Sequence, residues 1–231
     1  MKFLTLMQKE IREILPWILL AAISFLAIGL FIITMLGRHT NFFWQFSNIK
    51  PGTEVEIHRL ITFSVLTMNG VWLFTVSLAL GLILGIRQFW IAFFTKTWAF
   101  EFHRSVKRQT VLYAKLSAAI IAFLLALGAV WTFFYIYSSR SGVLINRPSF
   151  RNFLEGWIFI ALSFLAYLAT ALTALAGTRW YTTKIFGLAF ASLIVFRTVS
   201  QSNPGWALIT LIIGAVILLS QVTYTFLNRE F

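Results

Sequence analysis

The chain has no cysteine and no aspartate. The first absence removes disulfides, thiolate catalysis and cysteine-based metal sites. The second leaves seven glutamates as the only acids, so with no Asp and no Cys a buried metal site would need ligands the chain does not have. His39, His58 and His103 fall in separate connecting segments. Charge is scarce as well: 11% of residues are charged, against about 25% in an ordinary soluble domain. Motifs are missing in parallel. No G-x-x-x-x-G-K-[ST] run is present, so ATP phosphates are not held by a Walker loop of this chain. Neither G-x-S-x-G nor H-E-x-x-H occurs, and no nucleophile lies beside a base within an apolar run. The expectation is a protein that is not an enzyme, with no cofactor and no metal of its own.

What is present is apolar. Of the 231 residues, 59% are hydrophobic and 17% aromatic, and the mean hydropathy is +0.84. A bilayer core about 30 Å thick needs about 20 apolar residues per helix. Trp17–Leu36, Leu60–Ile86, Val111–Tyr137, Phe153–Gly177 and Trp206–Leu227 meet that length, and Ile185–Ser200 is a shorter sixth run. Backbone groups in lipid must be satisfied within the segment, so these runs predict helices. The expected fold class is an all-α integral membrane protein with six transmembrane helices. The net charge of +12 then points to anionic lipid head groups and topology signals rather than to nucleic acid. With the N-terminus inside, Lys and Arg on the cytoplasmic side outnumber those outside about two to one. Both termini are expected in the cytoplasm.

Several features refine this expectation. Residues 1–15 read as an amphipathic interfacial helix with Phe3, Met7 and Ile11 on one side and Lys2, Thr5, Lys9 and Arg12 on the other, ended by Pro16. Its two glutamates and length disfavour a cleaved signal peptide. Residues 16–231 read as a single six-span domain. Ser77, Gly81 and Gly85, and again Ala169, Thr173 and Gly177, form small-residue series suited to close helix packing. Trp17, Trp157, Trp180 and Trp206 fall near span ends, as interfacial anchors do. Within the runs, Asn69, Thr75, Phe190 and Arg197 are candidates for a substrate path or for packing. Glu155 is the only acid near a span, and no ionisable group is expected at mid-membrane. The short fifth run, followed by Asn203-Pro204-Gly205, is either a plain short helix or one followed by a re-entrant piece before Trp206.

The densest charge is internal. Between the second and third runs lies TWAFEFHRSVKRQTVLYAKL, Thr97–Leu116, carrying Glu101, His103, Arg104, Lys107, Arg108 and Lys115. A helix from Trp98 would place Trp98, Phe102 and Val106 on one face and Glu101, Arg104 and Arg108 on another, with Lys107 beside them. This segment, with RQFW (Arg87–Trp90), TWAF (Thr97–Phe100), HRSVKR (His103–Arg108) and YAKL (Tyr113–Leu116), resembles permeases of ABC type-2 exporters. In that family a threonine, a P-V-S-R run and an A-K-L run mark the coupling helix, which presses on an ATP-binding subunit. Thr97, Val106, Arg108 and Lys115-Leu116 match that pattern. Ser105 stands where the family has Pro, Lys107 where it has Ser, and Ile91–Thr95 is apolar where an acid is common.

The resemblance implies a permease subunit that exports an apolar or amphipathic substrate across the plasma (inner) membrane. The coupling segment would span residues 87–110. Partners would be two copies of an ATP-binding cassette ATPase, which hold the ATP and magnesium, and a second permease copy in a homodimer, all among membrane lipids. Trp98, Glu101, Phe102, Arg104, Val106, Lys107 and Arg108 would contact the ATPase. The alternative is a non-transport scaffold or sensor subunit that docks a soluble partner through the same basic segment.

Overall fold

The computed structural model describes residues 2–46, 54–95, 107–140, 148–176, 185–201 and 203–228, with side chains placed for all of these except 2, 35–46, 54–68 and 93. Every regular element among them is helical. In chain order these are α1 (Lys2–Phe46), α2 (Glu54–Gly85), a π turn (Ile86–Trp90) running into α3 (Ile91–Phe94), α4 (Arg108–Phe123), a second π turn (Leu124–Gly128), α5 (Ala129–Ser138), α6 (Phe150–Leu175), α7 (Phe186–Val199) and α8 (Pro204–Asn228).

Five stretches among the described residues are long and apolar enough to cross a membrane: Phe3–Thr34, Asn69–Trp90, Arg108–Ser138, Phe150–Leu175 and Pro204–Asn228. The chain is a multi-pass membrane protein. The helix α7, with 14 residues, is about 21 Å long at 1.5 Å per residue and falls short of a 30 Å hydrocarbon core. Four residues, 200–203, separate it from α8. Pro204 opens α8, where its missing N–H costs nothing, and the Gly205 N–H donates to Asn203 Oδ1 at 2.9 Å.

The N-terminal helix differs from expectation. Pro16 does not end it; α1 continues through Pro16 for 45 residues. A proline removes one backbone bond, but apolar surroundings penalise every further broken bond, so the helix holds on either side of it.

The helix α6 is the centre of the bundle. It packs on α2, α7 and α8, while α1 packs on α2 and α4. Buried hydroxyls on α6 bond back to their own backbone, as Thr170 does to Ala166 O (2.9 Å) and Thr173 to Ala169 O (2.8 Å), which satisfies them within the helix, whereas Ser77 Oγ on α2 has no partner. The small-residue series on α2 is an internal seam. A methyl group added at Gly81 would strike the Ser163 carbonyl, and one at Gly85 would lie 2.6 Å from Thr170 Cβ. Glycine there lets two backbones meet.

Candidate functional site

The stripe of α1 that faces the bundle runs through Glu10, Ile14, Ile18, Ala21 and Phe25. Three- and four-residue spacing is that of one helix face, and Glu10 occupies a place where the pattern calls for an apolar side chain. The same happens on α4. Val111, Leu112, Lys115, Ala118 and Ala122 are all buried, so Lys115 lies inside the bundle. Between α2 and α3 the π turn carries Gln88 and Phe89 inward together, both buried. An inserted residue of this kind lets two consecutive side chains share the core, and such turns recur at functional sites. Tyr167, at the middle of α6, is fully buried.

These four side chains meet. Lys115 Nζ lies 2.6 Å from Glu10 Oε1, with both side chains 4% exposed. Gln88 Nε2 donates to Glu10 Oε2 at 3.2 Å, and Tyr167 OH donates to Gln88 Oε1 at 2.6 Å. Rings close the surroundings: Tyr167 makes edge contacts with Phe89 and Phe123 and stacks on Phe164, at centroid separations of 5.8, 6.3 and 6.1 Å. The cluster joins α1, the π turn after α2, α4 and α6 through opposite charges and directed hydrogen bonds. It places two ionisable side chains among buried apolar residues. Burial of the two charges is tolerated because they neutralise each other and because Gln88 Nε2 donates to the second carboxylate oxygen.

The cluster lies toward the end of the bundle where α4 begins and α8 ends. There Arg108 Nη1 donates to the Leu227 carbonyl at 3.3 Å. Lys107 precedes α4 in extended backbone (φ −62°, ψ 137°) without a side-chain cap and is exposed. Of the residues expected to contact a partner, Trp98, Glu101, Phe102, Arg104 and Val106 lie outside the described residues.

A second feature is an apolar cleft of about 360 Å³ between α2, α6 and α7, lined by Phe74, Leu78, Leu82, Ala166, Val195 and Phe196 among others. The candidate path residues Asn69, Thr75, Phe190 and Arg197 are not in its lining. Asn69 is buried, and its side-chain oxygen has no hydrogen-bond partner. Thr75 is spent on the Val71 carbonyl at 2.9 Å. Phe190 stacks on Phe186, and Arg197 is exposed. Glu155 pairs with Arg151 at 2.8 Å on the surface of α6. Among the described residues, no three His or Glu side chains gather as a metal site would require.

Sequence reasoning missed Glu10, Gln88, Lys115 and Tyr167 as a group. One signal was available. Extending the Phe3, Met7 spacing past Pro16 to Ile14 and Ile18 puts Glu10 on the inward stripe. Treating Pro16 as a stop hid it. Compared with protein-family models, curated proteins and solved structures, the chain matches none.

Proposed function

We propose that the chain is the six-span permease subunit of an ATP-driven exporter, with α7 as a short fifth span and both termini in the cytoplasm of a plasma (inner) membrane. It would move an apolar or amphipathic substrate, two ATP-binding cassette subunits would supply the energy, and a second copy would complete the pore. The observation that carries the reading is how the basic connection between α3 and α4 is rooted. Its entering stem holds Gln88 and its leaving stem holds Lys115, and both side chains bond to Glu10. A push on residues 96–106 therefore has a direct route into the buried core, as a coupling segment needs.

The start of α4 adds support. Lys107 and Arg108 place two cations at the positive end of a helix dipole, where each is unfavourable by about 0.3–1 kcal/mol. The Arg108 bond to the Leu227 carbonyl offsets that cost at one of the two, while exposed Lys107 has no such compensation in the helix and would suit an acidic partner.

The test is reconstitution. Purified from its native membrane, the chain should bring an ATPase subunit with it, and hydrolysis in liposomes should rise with substrate-containing lipid extract. Absence of any associated ATPase ends the transporter reading. An associated soluble partner without ATP hydrolysis would leave the scaffold in its place.

A further inference from the structure

We infer that Glu10 is a positioning residue that fixes the spacing of the two stems of the 96–106 connection. A carboxylate offers two oxygens, and here each is committed to a different stem. Oε2 accepts from Gln88 on the stem that enters the connection, and Oε1 takes the Lys115 ammonium on the stem that leaves it. Gln88 lies seven residues before Thr95, and Lys115 lies eight residues after Lys107. Each anchor is therefore about two helical turns from the connection, near enough for its position to set where that connection begins and ends.

Four further facts support Glu10 as the clamp. Its own helix is remote from both stems in sequence: Glu10 lies 78 residues from Gln88 and 105 from Lys115. Gln88 cannot swing freely, because its amide oxygen accepts from Tyr167 OH at 2.6 Å. The π turn that carries Gln88 departs from the α-helical repeat on either side of it, and such turns recur at functional sites. The pair is electrically neutral and sealed at 4% exposure, so water does not substitute for a lost partner at low cost.

The purpose of the clamp rests on the docking role proposed above, whereas the clamp itself is a property of the chain alone. The experiment exploits the absence of native cysteine. Thr95 and Gln109 are exposed, and a T95C/Q109C chain carries nitroxide labels on the two stems. Pulsed electron paramagnetic resonance in lipid nanodiscs reads their separation. With Glu10 present, one narrow distance population is expected. E10Q offers one acceptor oxygen for two donors, so one stem is released and the distribution broadens or shifts. E10M/K115M removes both charges at similar volume; it is expected to fold, to melt above K115M, and still to show the broadened distribution.

A folded E10M/K115M or E10Q chain with stems as narrowly spaced as wild type overturns the inference, as does a broad distribution in the wild type itself. If the stems loosen but no ATPase ever accompanies the chain, the clamp stands and the transporter reading falls. If an ATPase binds and the stems do not loosen, the reverse holds.

Discussion

Lys115 and Glu10 are 105 residues apart in sequence, and their charged atoms are 2.6 Å apart in the fold. Removing one member of such a pair strands the other in an apolar interior, which costs about 3–5 kcal/mol, while replacing both with apolar groups of like volume is often neutral. K115M alone should therefore destabilise the chain by that amount, and E10M/K115M should recover it less the about 1–3 kcal/mol of leaving Gln88 Nε2 without its acceptor. Thermal unfolding of the two variants in one detergent checks this. Equal melting temperatures for the single and double variants would show that the pair does not form.

Tyr167 and Gln88 form the neutral half of the cluster. Y167F deletes the hydroxyl and leaves Gln88 Oε1 buried without its donor, a loss of about 1–3 kcal/mol. A cycle with Q88M should give a coupling energy of about 0.5–3 kcal/mol, the range for residues sharing one hydrogen-bond network. Additive effects would mean that the two side chains act independently.

Two glycines on α2 provide a comparison within one helix. A methyl group at Gly81 would run into the Ser163 backbone carbonyl, which cannot turn aside, whereas one at Gly70 has its nearest neighbour, Phe159, at 3.6 Å. G81A should cost about 1–3 kcal/mol through overpacking. G70A should be neutral or stabilise by up to about 1 kcal/mol, since alanine is the better helix former. Melting temperatures in the opposite order would mean that α2 and α6 do not approach at Gly81.

Pro16 shows where the sequence was legible and where it was not. The apolar runs locate the helices well: Phe153–Gly177 anticipates α6 at Phe150–Leu175, and Ile185–Ser200 anticipates α7 at Phe186–Val199. Length and hydropathy decide those cases, because lipid leaves the backbone no other choice. The same constraint overrides Pro16, which in water would have ended a helix. The Glu10–Lys115 contact lies beyond local pattern altogether. Periodicity reports which face a residue occupies, not which residue across the bundle will meet it. The π turn at Ile86–Trp90, which brings Gln88 inward, has no composition signature. If α1 is continuous, P16A restores a backbone bond and should raise stability by up to about 3 kcal/mol. No change in melting temperature would indicate that the helix is broken there.

The last prediction concerns Arg108, the first residue of α4. R108E loses the hydrogen bond to the Leu227 carbonyl, about 0.5–1.5 kcal/mol, and gains about 0.3–1 kcal/mol by placing an anion at a helix N-terminus. The two effects nearly cancel, so the variant should insert and melt within about 1 kcal/mol of wild type. If the basic start of α4 helps to meet an ATPase, the same change should lower transport while hydrolysis by the ATPase continues. Flux and phosphate release measured on the same liposomes separate the two. Normal transport by a well-folded R108E chain would remove Arg108 from the docking surface, and a misfolded one would show that its bond to Leu227 matters more than the helix dipole.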